Sequence, residues 1–234
     1  MKKLLSIVAT LAAAAGLVRA AAPPGDKPEL PPGPWVVPQM PAMAQWAVDY
    51  VYADALPPAA PGTPAATDPF GDPRNMRPAR VVVEKTGSIR HERWTLGAEL
   101  KQEVWAWGEM VVKQGPRGKA FTPTVGSDAG GNAFPEMNWI SPEHFVGTES
   151  KDGKKMWVFK KEWFDEDHKS LGISTAIVDP DTRYPVSYDY PPETRHYAVL
   201  SPPQGMLAVP PEFAAAGREM IDHAKAATPH LAAP

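Results

Sequence analysis

The sequence predicts an α+β fold, an antiparallel sheet built as successive hairpins with a helix near each end of the chain. Three observations carry this. Between Ile173 and Phe213, short runs rich in β-branched and aromatic residues (Ile173–Val178, Val186–Tyr190, Arg195–Leu200, Met206–Val209) are separated by brief Pro, Asp and Thr turns, the pattern of a meander in which each strand pairs with the next. Two other stretches, near residues 42–56 and 212–227, repeat their apolar residues at the helical period. The chain of 234 residues contains no cysteine, so core burial rather than disulfides or thiolate-bound metal must hold it together.

The chain opens with MKKLLSIVATLAAAAGLVRA, in which basic Lys2 and Lys3 precede an apolar run, Leu4–Leu17, and a small-x-small end, Val18-Arg19-Ala20. Residues 1–20 read as a signal peptide, because the apolar run is shorter than the ~20 residues a membrane span needs. A periplasmic or secreted location follows. Residues 21–38 are rich in Pro and Gly and are expected to be extended. Residues 39–227 read as one domain and 228–234 as a tail.

Within that domain, Met43, Trp46, Ala47, Tyr50 and Val51 recur at helical spacing, Pro41 suits a first turn and Pro57-Pro58 a stop, so a helix is predicted over Ala42–Leu56. Residues 57–78 hold many prolines and no periodicity, which marks a linker or surface loop inside the domain. Strands follow at Arg80–Lys85, Ile89–Leu96 and Leu100–Lys113. Along the last of these, simple alternation puts Trp105, Trp107 and Val111 on one face and Val104, Ala106, Met110 and Val112 on the other. The Gly-rich stretch 114–134 is expected to be a long flap. His144–Ser150 and Lys154–Trp163 form a hairpin closed by Lys151-Asp152-Gly153. Val178 and Val199 are expected on buried strand faces, and Glu212–Ala227 is expected to be a helix presenting Phe213, Met220, Ile221 and Ala224 on one side.

Several chemistries are disfavoured. The net charge of −3 leaves no basic footprint for nucleic acid. The six histidines include no HExxH or HxH spacing. His91 and Glu92 fall on opposite faces of their strand and would not act as one acid–base pair. A His-dependent hydrolase or metalloenzyme using His91, His144 or His196 is the weakest of three readings. Asp165-Glu166-Asp167-His168 lacks the glycine and later glutamate of a calcium loop. Gly126-Ser127-Asp128 is not a nucleophile elbow. No cofactor and no metal site is expected. The eight tryptophans are the unusual feature. If Trp105, Trp107, Trp157 and Phe159 line one sheet face, helices or a ligand must fill it.

The succession Ala176-Ile177-Val178-Asp179, Thr182, Tyr184-Pro185-Val186, then Tyr197-Ala198-Val199 and Leu207-Ala208-Val209-Pro210-Pro211-Glu212-Phe213 is similar to the periplasmic lipoprotein-carrier (LolA/LolB-like) half-barrel superfamily. The hairpin with Gly147 and Gly153-Lys154-Lys155-Met156-Trp157-Val158 fits the same pattern, and the resemblance covers roughly Arg80–Phe213. It implies a strongly curved antiparallel half-barrel wrapped around helices, with an N-terminal helix on its concave face, a C-terminal helix, and an apolar cavity for acyl chains or another hydrophobic ligand. It implies no catalytic residue. The resulting expectation is an exported, non-enzymatic protein that binds a lipid or an acylated protein in the cell envelope, with possible peripheral membrane contact. Its cavity residues would be Met43, Trp46, Tyr50, Trp105, Trp107, Trp157 and Phe159. The alternative is a structural or partner-binding envelope protein whose cavity is filled by its own helix.

Overall fold

The computed structural model describes residues 30, 32–53, 77–115, 121–125 and 132–227. The expected signal peptide, most of the proline-rich loop 57–78 and the tail lie outside these residues. Among the described residues, eleven strands form one open antiparallel sheet. They are β1 (Met43–Tyr52), β2 (Arg80–Thr86), β3 (Ile89–Leu96), β4 (Glu99–Trp107), β5 (Met110–Gln114), β6 (Phe121–Val125), β7 (Phe145–Lys151), β8 (Lys154–Phe164), β9 (Ser170–Val178), β10 (Pro185–Tyr190) and β11 (Glu193–Leu200). The helix α1 (Pro211–Ala227) follows. The spatial order β6-β5-β4-β3-β2-β1-β11-β10-β9-β8-β7 makes two consecutive meanders, β2–β6 and β7–β11, joined only through β1. The arrangement is in keeping with the curved half-barrel.

The predicted N-terminal helix is the central strand β1, paired with β2 on one side and β11 on the other. The reason lies in where this strand sits. Ala44, Trp46 and Val48 are buried on one face and Ala47 on the other, and a strand covered on both faces shows apolar residues at helical offsets as readily as at alternate positions. Aromatic and β-branched residues then favour the pleated form.

The stretch Leu100–Lys113 is two strands, not one. Gly108, at φ 54°, opens a two-residue turn with Glu109, and Trp107 pairs with Met110. The turn reverses the alternation, so Trp105 and Trp107 share a face with Met110 and Val112, while Val104 and Ala106 share the other with Val111. The closing turn of β7–β8 is as expected, with Asp152 at φ 52° and Gly153 at φ 79°. The expected flap 114–134 contributes edge strand β6 and delivers Phe134, 2% exposed, to the core. Met206–Val209 is not a strand. Its backbone runs between Pro202-Pro203 and Pro210-Pro211, which cannot donate to a ladder, and the Leu207 N–H bonds the Thr86 hydroxyl at 2.8 Å.

The two faces carry separate cores. On the inner face, Trp46, Val48, Val81, Val83, Trp157, Phe159, Ala176 and Val178 pack with Phe134 and Met137 from the 132–140 segment and with Trp35, Val36 and Val37 from the N-terminal arm. On the outer face, Trp105, Met110 and Val112 pack under Phe213, Ala216 and Met220 of α1. Gly217 sets the approach of α1, since a Cβ there would stand 3.0 Å from Trp107 Cζ2 and 3.1 Å from Met110 Cγ. Val178 is fully buried as expected, whereas Val199 is 51% exposed. Both sheet edges are blunted, β6 by Pro123, which has no N–H, and β7 by the bulge between Phe145 and Gly147.

Candidate functional site

Two clefts on the inner face meet beside the centre of the sheet. The first, about 490 Å³, lies between the ends of β1 and β10–β11 and is lined by Tyr50, Tyr52, Arg77, Pro78, Trp94, Tyr188, Tyr190, Pro191, Pro192 and Glu193. The second, about 400 Å³, runs along β1–β3 under the 132–138 segment and is lined by Trp46, Val48, Val81, Val83, Arg90, Glu92, Asn132, Phe134 and Tyr197. Tyr50, Trp94, Glu136 and Arg195 line both, so the two are parts of one groove.

Register builds this site. Tyr50 pairs with Arg195 and Tyr52 with Glu193 across β1–β11, and Arg195 pairs with Tyr188 across β11–β10. Because directly opposed residues share a face, aromatic rings and charges from three strands converge. The Arg195 guanidinium carbon stands 5.2 Å from the Tyr50 ring centre and 5.6 Å from that of Tyr188, within cation–π range. Its Nε bonds Glu193 and its Nη1 lies 3.2 Å from Glu136. The Tyr197 hydroxyl donates to the same Glu136 carboxylate. Deeper in the groove, Glu92 accepts from the Trp94 indole at 2.9 Å and lies 3.0 Å from Arg90 Nε.

These groups alter one another's acidity. Burial works against the charge on Arg195, but the carboxylates of Glu136 and Glu193 outweigh it and hold the guanidinium firmly protonated. Burial raises the pKa of Tyr50, with Arg195 opposing, and burial together with Glu136 raises that of Tyr197. Tyr52 is pushed up to about 12, chiefly by burial. Tyr50, Tyr52 and Tyr197 are therefore neutral hydroxyls at any physiological pH.

The expected cavity residues separate into three places. Trp46 and Tyr50 line the groove. Trp157 and Phe159 are on the same face but buried in the filled core with Phe145. Trp105 and Trp107 are on the opposite face under α1, and Met43 is exposed there. The single aromatic sheet face therefore does not exist, because the ladder register from β4 through β3 and β2 aligns Trp105 with Gln45 of β1, on the face opposite Trp46 and Trp157. The groove residues Trp94, Tyr188, Tyr190, Glu136 and Arg195 were not singled out from sequence. The signal for Tyr188, Tyr190 and Arg195 was present in the aromatic and charged alternation of β10 and β11, while Trp94 comes from β3 and Glu136 from the 132–140 segment.

The candidate histidines His91, His144 and His196 do not converge. His91 is buried on the outer face, with Nδ1 3.2 Å from Glu84, Nε2 2.8 Å from Glu103 and its ring stacked on Trp105 at 4.1 Å. His144 bonds Ser141 at 2.6 Å, and His196 is exposed. Among the described residues, no group of three His, Asp or Glu side chains is placed to hold a metal ion. Nor is any described helix long and apolar enough to cross a membrane.

No sequence family and no curated protein matches the chain. Among solved structures, similarity is found at low identity. The lipoprotein LppX of Mycobacterium tuberculosis is similar at 10% identity and a TM-score of 0.37, over 72% of this chain and 90% of its own. A LolA superfamily protein of Nitrosomonas europaea is similar at 12% identity and a TM-score of 0.33, over 73% of this chain and 90% of its own.

Proposed function

We propose that this protein is a non-enzymatic binding protein of the cell envelope, a single domain exported by its signal peptide, which takes an amphiphilic ligand such as a lipid or the acylated end of a protein into the inner-face groove. The observation that supports it is the groove itself. Tyr50, Tyr52, Trp94 and Tyr190 offer apolar ring surface, while the polar groups between them are already paired with one another. A volume of about 490 Å³ falls within the roughly 300–1,000 Å³ of small-ligand pockets. The carboxylates are engaged by Arg195, Tyr197 and Trp94, which suits holding a ligand more than proton transfer to it.

A second reading has its own support. The inner face over β1 and β11 is partly filled by Phe134, packed on Trp46 and Tyr197, and Met137 joins the same core; they are 2% and 3% exposed. This favours a partner-binding envelope protein whose cavity is closed by its own chain. The filling group would be the 132–140 segment, not the helix expected from sequence.

Titration with an uncharged apolar fluorescent probe tests the first reading. The parent protein should bind at micromolar concentration with a shift in tryptophan emission, and Trp94→Ala should weaken binding about tenfold or more. A folded parent that binds no probe would leave the second reading standing.

A further inference from the structure

We propose that the polar end of the ligand is an uncharged, hydroxyl-rich ring, a sugar residue of a glycolipid or of a free glycan; this rests on the binding reading above. The first ground is charge balance. Three arginines line the groove (77, 90 and 195), matched by three glutamates (92, 136 and 193). The pairs Arg90–Glu92 and Arg195–Glu136 are within 3.0 and 3.2 Å. An anionic headgroup reaching Arg195 would meet Glu136 and Glu193 at once, and a cationic one would find the Tyr50 and Tyr188 rings already facing the protein's own guanidinium. Either charge would shed water without gaining a partner, which is costly.

The second ground is shape and chemistry. A pyranose has an apolar face of C–H groups and a rim of hydroxyls. Tyr190 and Trp94 offer flat rings to the face. Groups fixed at the groove wall, the carboxylates of Glu136 and Glu193 and the amide of Asn138, offer acceptors and donors to the rim. Because burial keeps Tyr50 neutral, its hydroxyl can both donate and accept. Glu136 and Arg195 are held by their mutual contact, so little side-chain freedom is lost when such a ring docks.

The test compares amphiphiles that share one tail. Submicellar dodecyl maltoside, dodecyl phosphate and dodecyltrimethylammonium are titrated into the parent protein, with tryptophan emission and calorimetry as readouts. The maltoside should bind about tenfold tighter or more than either charged amphiphile. Tyr190→Ala should weaken the maltoside selectively at an unchanged melting profile. Glu193→Gln, which leaves Arg195 underneutralised, should move preference toward the phosphate amphiphile. Displacement of the maltoside by maltose alone supports a free glycan as the source, and its failure to displace supports a glycolipid. Equal binding of all three amphiphiles, or a preference for either charged one, overturns the headgroup assignment and leaves the binding reading intact. If none binds, the binding reading itself fails.

Discussion

Phe134→Ala is the sharpest probe of how the inner face is held. The ring is 2% exposed, 6.1 Å from the Trp46 ring and edge-on to Tyr197 at 5.6 Å. It walls both the 400 Å³ groove under the 132–138 segment and a 220 Å³ cavity beneath the N-terminal arm. Truncation removes a fully buried aromatic ring, which costs about 3–5 kcal/mol. At ~2–4 °C per kcal/mol for a chain of this size, the melting temperature should fall by about 6–20 °C. The same deletion should merge the groove with the cavity beneath the arm, so an uncharged apolar probe should bind the folded variant more tightly than the parent. Calorimetry gives the first quantity and probe fluorescence the second. A loss of stability below about 1 kcal/mol would show that the 132–140 segment does not hold the inner core, and the packing argument would fail. A large loss without tighter probe binding would show that the neighbours collapse into the space.

Val178→Asp places a charge on a fully buried β9 position and should cost several kcal/mol, whereas Val199→Asp, at a half-exposed position, should stay within about 0.5 kcal/mol; denaturant midpoints decide, and equal effects would refute the register. Gly217→Ala gains up to ~1 kcal/mol of helix propensity but drives a methyl onto Trp107 and Met110, so a net loss of about 1–2 kcal/mol is expected, with a blunted near-ultraviolet signal from Trp107. Tyr50, Tyr52 and Tyr197 ionise less readily in the folded than in the unfolded chain. Their contribution is therefore intact below the ordinary tyrosine pKa of about 10 and lost as the pH climbs above it. Melting temperature should drop steeply there, and less so in Tyr197→Phe.

Strands were legible where turn chemistry punctuates the chain. Asp152-Gly153 and the Asp179–Thr182 turn set hairpins whose limits agree with expectation to within a few residues. The chain failed to disclose β1 because Trp46, Ala47, Tyr50 and Val51 satisfy two periods at once when both faces are covered. It failed to disclose the two-residue turn at Gly108 because Trp107 and Met110 continue the apolar run through it. The groove was hidden for a different reason. Tyr50 and Arg195 lie far apart in sequence and meet only through the β1–β11 pairing, a non-local fact that no local pattern encodes. Trp46 and Tyr50, taken from one supposed helical stripe, still reached the groove, because residues four apart share a face in a strand too.

The position of β1 has a further consequence. It is the first strand among the described residues, yet it is the seam between two sheets' worth of hairpins, and neither wing alone owns the groove. Trp94 belongs to one wing, Tyr188, Tyr190, Glu193 and Arg195 to the other, and Tyr50 and Tyr52 to the seam itself. A ligand seated there grips both wings across β1 and works as a clasp. Occupancy should raise the free energy of parting the wings by the ordinary linkage of binding to folding. Amide exchange along β1 and β11 should therefore slow on loading, while the outer hairpins β5–β6 and β7–β8 keep their own pace.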